Sequence, residues 1–467
     1  MMSWDRLLSK RRLGQPRNNT ESTTDLMGRS AFVSDVDRVT FSPSFRRLAR
    51  KTQVFPFAVN DHVHNRLTHS LEVSRVGRTL GLAVGTELFR RPKYKAQQPS
   101  ERDPGDFGAV VEAACLSHDI GHPPFGHAGD RAIRHWFDHS ATASHLSKIT
   151  SKEEFSDLRN FDGNAQGFRR IAQLEKNIFN GGLNLTFATL AAYIKYPRLS
   201  KSESSKTGFF LTEQKIVQRV SRELGLVNVE NGFARHPLSL LVEAADDACY
   251  GFLDLEDAVE VGLLNLHEAS TMLLRTLPLR DRDNYRPRPS DKSHRIIFAR
   301  MRGKIFREAI KSTVRTFFSN YDEILAGEFN RGLLEVAAEA GDDPAQALLE
   351  AKRVVREKVF PLDGKVSIEL GGYAVLGILL DEFVCAALDF SEAYKRSPRN
   401  PRIASKSVIL LSMLGDHTLR KGNAAAGTDW TPYQCVRRML DFITGMTDEF
   451  ALRVSNQLSG HIERRVF

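Results

Sequence analysis

Apolar residues recur three and four positions apart over most of this chain, the spacing that lines one side of an α-helix. Between His69 and Arg91 the series Leu71, Val73, Val76, Leu80, Leu82, Val84 and Leu88 keeps that period and predicts a helix. Similar patterns predict helices over Phe107 to Ile120, Asn164 to Phe179, Thr186 to Lys195, Leu211 to Leu224 and Leu238 to Leu264. Beyond these come Ile296 to Phe318, Tyr321 to Ala340, Pro344 to Val359, Ala374 to Tyr394 and Pro432 to Leu458. Alternation with a period of two is rare, and Thr52 to Val59 is the main strand candidate. Polar stretches at Pro92 to Asp106, Pro197 to Thr207 and Leu279 to His294 read as loops, the last as a subdomain boundary because it is rich in Arg, Asp and Pro. The expectation is an all-α protein with few short strands: an N-terminal arm over 1–30, a core over 31–278 and a helical C-terminal region over 279–467.

Composition narrows this little. Hydrophobic residues make up 41% of the 467 and charged residues 26%, a globular balance that excludes general disorder, collagen and a coiled-coil rod. Lys and Arg outnumber Asp and Glu by 66 to 57, a formal charge of +9 that suits an anionic partner but is modest for this length. Cys115, Cys249, Cys385 and Cys435 form no CxxC pair, which argues against a zinc ribbon or disulfide scaffold and for a reducing, cytoplasmic location. The stretch from Met1 to Arg17 has no apolar core of a secretory signal, and no run reaches the roughly 18 apolar residues of a membrane span.

The densest chemistry lies in Ser117-His118-Asp119-Ile120-Gly121-His122-Pro123-Pro124-Phe125-Gly126-His127. A lone histidine is more often a cap or a core residue, but three histidines and an aspartate this close reverse that weighting. His118 and Asp119 are neighbours, about 100° apart on a regular helix, so they meet one ion only near a helix end; Gly121 and Pro123-Pro124 supply the end. Further ligands must come from elsewhere. His69 stands at a predicted helix start, and Asp246 lies mid-helix among alanines, where a carboxylate is costly to bury unless paired or bound to metal. Tyr250 and Asp254 follow Asp246 at intervals of four and share its face. Asp257 and Glu260 read as a solvated acidic face. Cys115 and Cys249, three positions from proposed ligands, read as small buried core residues.

His69, His118-Asp119 and Asp246 resemble the H…HD…D ligand set of the HD-domain phosphohydrolases. The match extends to Phe45 to Leu48, Lys51 to Pro56, Asn65 to Val73, Asn164 to Gln166, Lys195 to Pro197, Glu243 to Tyr250 and Asp441 to Leu452, which together resemble the bacterial dGTP triphosphohydrolases over about residues 30 to 455. The resemblance implies a helical HD core over 31–278 and a divalent ion, Mg²⁺, Mn²⁺ or another first-row metal, one per subunit, on His69, His118, Asp119 and Asp246. It implies release of tripolyphosphate from a deoxynucleoside triphosphate, dGTP being the first to try. His127 and Asp130 match the family's catalytic pair, although the usual second residue is Glu, one methylene longer. Arg66, His122, Lys195 and Tyr196 match phosphate contacts, Gln53 and Asp254 match contacts to the sugar 3′-hydroxyl, and Tyr250 matches the ring that packs on deoxyribose. A closed homo-oligomer such as a hexamer and a single-stranded DNA effector are also implied, with no membrane partner. The alternatives are a phosphohydrolase of the same fold acting on another nucleotide, or a nucleotide- or DNA-binding regulator that keeps the metal site without turnover.

Overall fold

Helical periodicity carries through to the tertiary structure. The computed structural model describes residues 1–14, 29–55, 60–101, 103–175, 182–199, 206–229, 232–288, 293–359, 363–415, 419 and 430–461. Regular structure among them is helical apart from one small antiparallel hairpin, Asn228–Val229 with Gly232–Phe233, so the fold is all-α. The strand expected over Thr52 to Val59 does not form in its described part, where Thr52 makes a single bridge to Asn65; residues 56–59 lie outside the described residues. No helix of the described residues is long and apolar enough to cross a membrane.

Two expected helices are broken. Tyr321 to Ala340 divides into Tyr321–Ala326 and Leu333–Glu339, because Gly327 takes a left-handed φ of 80° and stops the first. Pro432 to Leu458 divides into Pro432–Thr444 and Asp448–Leu458, with the Thr447 side chain accepting from the Phe450 amide to start the second. Over Asn164 to Phe179 the helix Gly163–Arg169 passes into a wider turn at Arg170–Leu174, and residues 176–179 lie outside the described set. Two of the expected loops hold short helical turns, Pro92–Gln97 and Leu279–Tyr285. Of Pro197 to Thr207, residues 200–205 lie outside the described ones. Among several helices that the pattern did not announce, Gly126–His139 buries Ala128, Ala132, Ile133, Trp136 and Phe137; alanines at two of these positions blur the apolar stripe.

Among the described residues, burial is divided among three hydrophobic clusters. The largest joins the helices Arg66–Arg90, Pro104–Ser117, Pro237–Glu260 and His294–Ser319, and takes in Trp4 and Leu7 from the N-terminus. A second joins Gly126–His139 to the long helix Asp363–Arg396 and the two C-terminal helices. A third gathers Leu116, Ile120, Phe168, Phe187 and Phe209. Glycines set the spacing in the first. A Cβ on Gly77 would lie 2.4 Å from Cys115 Sγ, and one on Gly81 2.5 Å from the Phe107 carbonyl oxygen. The helices Arg66–Arg90 and Pro104–Ser117 can therefore lie close, which brings His69 beside the segment that holds His118. That segment crosses all three clusters: Cys115 belongs to the first, Ile120 to the third and Phe125 to the second.

Candidate active site

Each of the central side chains is set by a helix end or a helix face. Asn65 caps Arg66–Arg90 by accepting from the Leu67 and Thr68 amides, while Thr68 Oγ1 accepts from the Asn65 amide. Arg66 and His69, one turn apart, then face the same way. The helix Pro104–Ser117 ends where His118 caps it, and the Ser117 hydroxyl donates to the carbonyls of Ala113 and Ala114. Past that end the backbone turns, so His118 and Asp119 escape the 100° separation. Gly121 is needed for a different reason from the one its place after a helix suggests: a Cβ there would lie 2.0 Å from the Gly167 nitrogen and 2.1 Å from the Gly163 oxygen. The loop is pressed onto the start of the helix Gly163–Arg169.

The structure brings His69, His118, Asp119 and Asp246 together. Donor atoms of the first three lie within 4.8 Å of one another. Asp246 Oδ1 is 3.1 Å from His69 Nε2 and 3.5 Å from His118 Nε2, and His118 Nε2 is 3.6 Å from Asp119 Oδ1. Separations near 3.5 Å suit ligands around one ion better than direct hydrogen bonds. His118 Nδ1 lies 2.6 Å from the Cys115 carbonyl oxygen; a carbonyl only accepts, so Nδ1 carries a hydrogen and Nε2 is the nitrogen left facing the carboxylates, able to hold a proton or a metal ion there. His118 Nε2 and Asp119 Oδ2 are buried without hydrogen-bond partners. Burial works against a charge on His118, yet Asp119 and Asp246 push its pKa up to about 9. Burial likewise opposes charge on Asp119, but Arg66 and His118 hold its carboxyl well below the usual range. The cluster therefore attracts positive charge, and two imidazoles with two carboxylates suit a hard or borderline divalent cation. The donor set fits the metal that HD domains bind.

A second constellation adjoins the first. Arg66, 1% exposed, places Nη1 2.7 Å from Asp119 Oδ1. His122 bridges onward: Nε2 is 3.3 Å from Asp119 Oδ1 and Nδ1 is 3.4 Å from Asp130 Oδ2. His127 Nδ1 is also 3.3 Å from Asp130 Oδ2, so the shorter acid does meet its histidine, at the long end of hydrogen bonding. Asp130 is buried while the His127 side chain is 56% exposed, which leaves the other edge of that ring open. Burial would raise the Asp130 carboxyl, but its contacts with His122 and His127 hold it far below the usual range.

The third wall comes from Pro237–Glu260. Tyr250 packs its ring 5.1 Å from that of His69, and Gln53 Nε2 donates to Tyr250 Oη at 3.0 Å. Asp254 lies one turn further along the helix and is buried. Lys195 Nζ sits 3.0 Å from Glu243 Oε1, whose other oxygen is held by Arg235 at 2.7 Å. Tyr196 is tied to this wall through Lys195, whose Nζ lies 5.4 Å from its ring centroid. Asp257 is not a solvated acid: it is 1% exposed, with Oδ1 2.7 Å from His64 Nδ1, and Glu72 Oε2 lies 3.0 Å from the other ring nitrogen. Glu260 is also engaged, by His294, Arg295 and Asn60. One cation escaped the sequence reading. Lys352, from the C-terminal helix Asp343–Val354, reaches Asp247 Oδ1 at 2.5 Å and lies 5.6 Å from the Tyr250 ring centroid. Nothing in its local sequence marks a lysine on an amphipathic helix as a site residue.

Residues 66–175 match the HD-domain family model, a span holding His69, the HD pair, His127 and Asp130. A deoxyguanosinetriphosphate triphosphohydrolase-like protein of Pseudomonas aeruginosa (strain LESB58) is 40% identical over 467 residues, covering 98% of this chain and 99% of its own. Proteins with the same description from Synechocystis and Listeria innocua are 35% and 32% identical over 475 and 488 residues, each covering 98% of this chain.

Proposed function

Since the chain belongs to the deoxyguanosinetriphosphate triphosphohydrolase-like family of HD-domain proteins and is a hydrolase, we propose that it converts a deoxynucleoside triphosphate and water to deoxynucleoside and tripolyphosphate, with dGTP as the first substrate to test. The observation that carries this reading is the convergence of His69, His118, Asp119 and Asp246 beside both the His127–Asp130 pair and the Tyr250 ring. In this reading those four residues hold Mg²⁺ or Mn²⁺, which would polarise the phosphate oxygens and lower the barrier to attack at the α-phosphorus.

The remaining residues divide the work by position. Water adds to the α-phosphorus, its bond to the 5′ oxygen breaks, and that oxygen leaves with a proton. His127, with Nδ1 oriented by Asp130 and its far edge open, is placed to handle that proton. Arg66 and His122 line the phosphate side next to Asp119; Lys195, Tyr196 and Lys352 add cationic and phenolic groups to the opposite wall. Tyr250, steadied by Gln53, leaves a flat face for the sugar, with Asp254 beyond it for the 3′-hydroxyl. A closed homo-oligomer belongs to the same proposal and is measurable by light scattering.

Incubation with each dNTP and Mn²⁺ or Mg²⁺, followed by anion chromatography, tests the reading. Tripolyphosphate and free deoxynucleoside in equal amounts support it. Pyrophosphate or orthophosphate as the first product rejects it, and tight nucleotide binding without any product favours a regulator.

A further inference from the structure

Two sequence motifs remain without a role in the chemistry above: the lysine and threonine that precede Gln53, and the C-terminal segment Asp441-Phe-Ile-Thr444-Gly-Met-Thr-Asp448. The structure joins them. Lys51, 3% exposed, donates from Nζ to two carbonyls, His122 at 2.5 Å and Thr444 at 2.7 Å. Asp448, also 3% exposed, accepts at Oδ2 from the Thr52 amide at 2.9 Å and the Thr52 hydroxyl at 2.6 Å, and at Oδ1 from the Phe125 amide at 3.0 Å. Thr52 bridges to Asn65, and the Arg66 amide donates to the Lys51 carbonyl at 3.1 Å, so the same strip is fastened to the start of the helix that carries Arg66 and His69. Asp441 adds a further tie: its carboxylate accepts from Gln166 and from two nitrogens of Arg169, on the helix against which Gly121 is pressed.

What these bonds hold is a backbone under strain. Phe125 has φ of 64°, a left-handed conformation unfavourable for a residue with a bulky side chain. It is the cap of Gly126–His139 and gives that helix no side-chain cap. The first turn of that helix carries His127, and Asp130 follows three residues on at the start of the second. Its apolar face is buried in the second hydrophobic cluster, whereas His69, Cys115 and the Asp246 helix are built on the first. Apolar packing is non-directional, so it does not fix the register of one cluster against the other to a fraction of an ångström. Directional hydrogen bonds from buried polar groups do.

We propose that Asp448, with Lys51 and Thr52, is a positioning device for turnover: its carboxylate pins the Phe125 amide to the Lys51–Thr52 strip, and so holds the His127–Asp130 turn in register with the His69–His118–Asp119–Asp246 cluster. The turnover part rests on the phosphohydrolase reading; the structural part does not. Asp448→Asn keeps the shape but replaces one accepting oxygen by a donating amide, which leaves a donor facing a donor at Phe125 or at Thr52.

The test pairs kinetics with backbone hydrogen exchange on the full chain, with Mn²⁺ present. A misplacement of about 1 Å can cost on the order of 100-fold in rate. The expected result for Asp448→Asn is a kcat lowered about 10- to 100-fold with KM within about threefold, the signature of lost transition-state alignment. Amides of residues 125–131 exchange faster in the variant, while those of Pro104–Ser117 and Pro237–Glu260 do not. If Asp448→Asn does not fold, Thr52→Val removes only the hydroxyl donor and shows the same split in smaller measure, which Thr52→Ser largely reverses. Unchanged kcat and unchanged exchange at 125–131 overturn the proposal. So does faster exchange throughout the chain with kcat, KM and melting temperature moving together, since that is simple destabilisation. Absence of tripolyphosphate from the unaltered protein would sink the functional reading instead, leaving the exchange experiment to judge the clamp alone.

Discussion

Replacing Gly121 by Ala adds one methyl group at the point where the HD loop meets the helix Gly163–Arg169. The new Cβ would lie 2.0 Å from the Gly167 nitrogen and 2.1 Å from the Gly163 oxygen, against a floor of 3.0 Å for real contacts. The two segments must therefore part by about 1 Å (3.0 − 2.0). Both contacts are to backbone, so no rotamer change relieves them. Overpacking of this kind costs about 1–3 kcal/mol. The larger effect is on geometry, because Asp119 and His122 flank the residue and both face the reacting groups. A shift of about 1 Å there predicts a fall in kcat on the order of 100-fold. Gly303→Ala is the control: nothing lies within 4 Å of its Cβ position, and it sits inside the helix His294–Ser319. That change should raise stability by about 0.4–1 kcal/mol and leave turnover unaltered. Differential scanning calorimetry and tripolyphosphate release measured on both variants decide the matter. Gly121→Ala with the turnover and melting temperature of the unaltered protein would refute the close-approach argument.

Other outcomes follow from the same geometry. His118→Ala or Asp246→Ala should abolish stoichiometric Mn²⁺ binding in calorimetry and turnover together, exceeding the ~10–100-fold loss of metal affinity typical when only an outer partner of a ligand is removed; activity surviving either change refutes the ligand set. His236 is buried, with Nε2 3.0 Å from the Leu7 carbonyl and Nδ1 accepting from the Leu238 amide, and burial pulls its pKa down to about 4. The unfolded chain then binds the proton first, so stability is complete above about 6.5 and falls as pH drops toward 4, by about 3 kcal/mol in all. Chemical denaturation of the unaltered protein and of His236→Gln should differ in slope over that window, and equal slopes would refute the assignment. Tyr250→Ala should erode discrimination between dGTP and GTP by roughly 10-fold or more, seen in the ratio of kcat/KM values; an unchanged ratio would remove Tyr250 from the sugar pocket.

Much of this protein was legible in its sequence because helices advertise themselves locally. An apolar stripe of period 3.6 needs no knowledge of its partner, so the long helices around His69, Asp246 and residues 296–318 stand out from the pattern alone. The HD run was legible because its chemistry is dense: His118, Asp119, His122 and His127 lie within ten positions, and Gly121 and the two prolines mark the helix end. Position in sequence also made Asp246, Tyr250 and Asp254 one face. Where helices stop was less clear, since a stripe can run in phase across a short break; this is how Gly327 and the turn before Asp448 were missed.

Only the tertiary structure decided what the charges do. Asp257 looked like a solvated acid and is buried against His64, because a residue's surroundings depend on which distant segment arrives to cover it. Lys352 carries no local mark and the motif around Asp448 does not say what that carboxylate binds, yet one lies beside Tyr250 and the other holds the Phe125 turn. Gly121 reads as a helix stop in one dimension and proves to be a contact point in three. Local period depends on neighbours three and four residues away, whereas burial and pairing of polar groups depend on neighbours hundreds of residues away. The chain therefore declares its helices and its reactive run by itself, and folding alone assigns the residues that hold them in register.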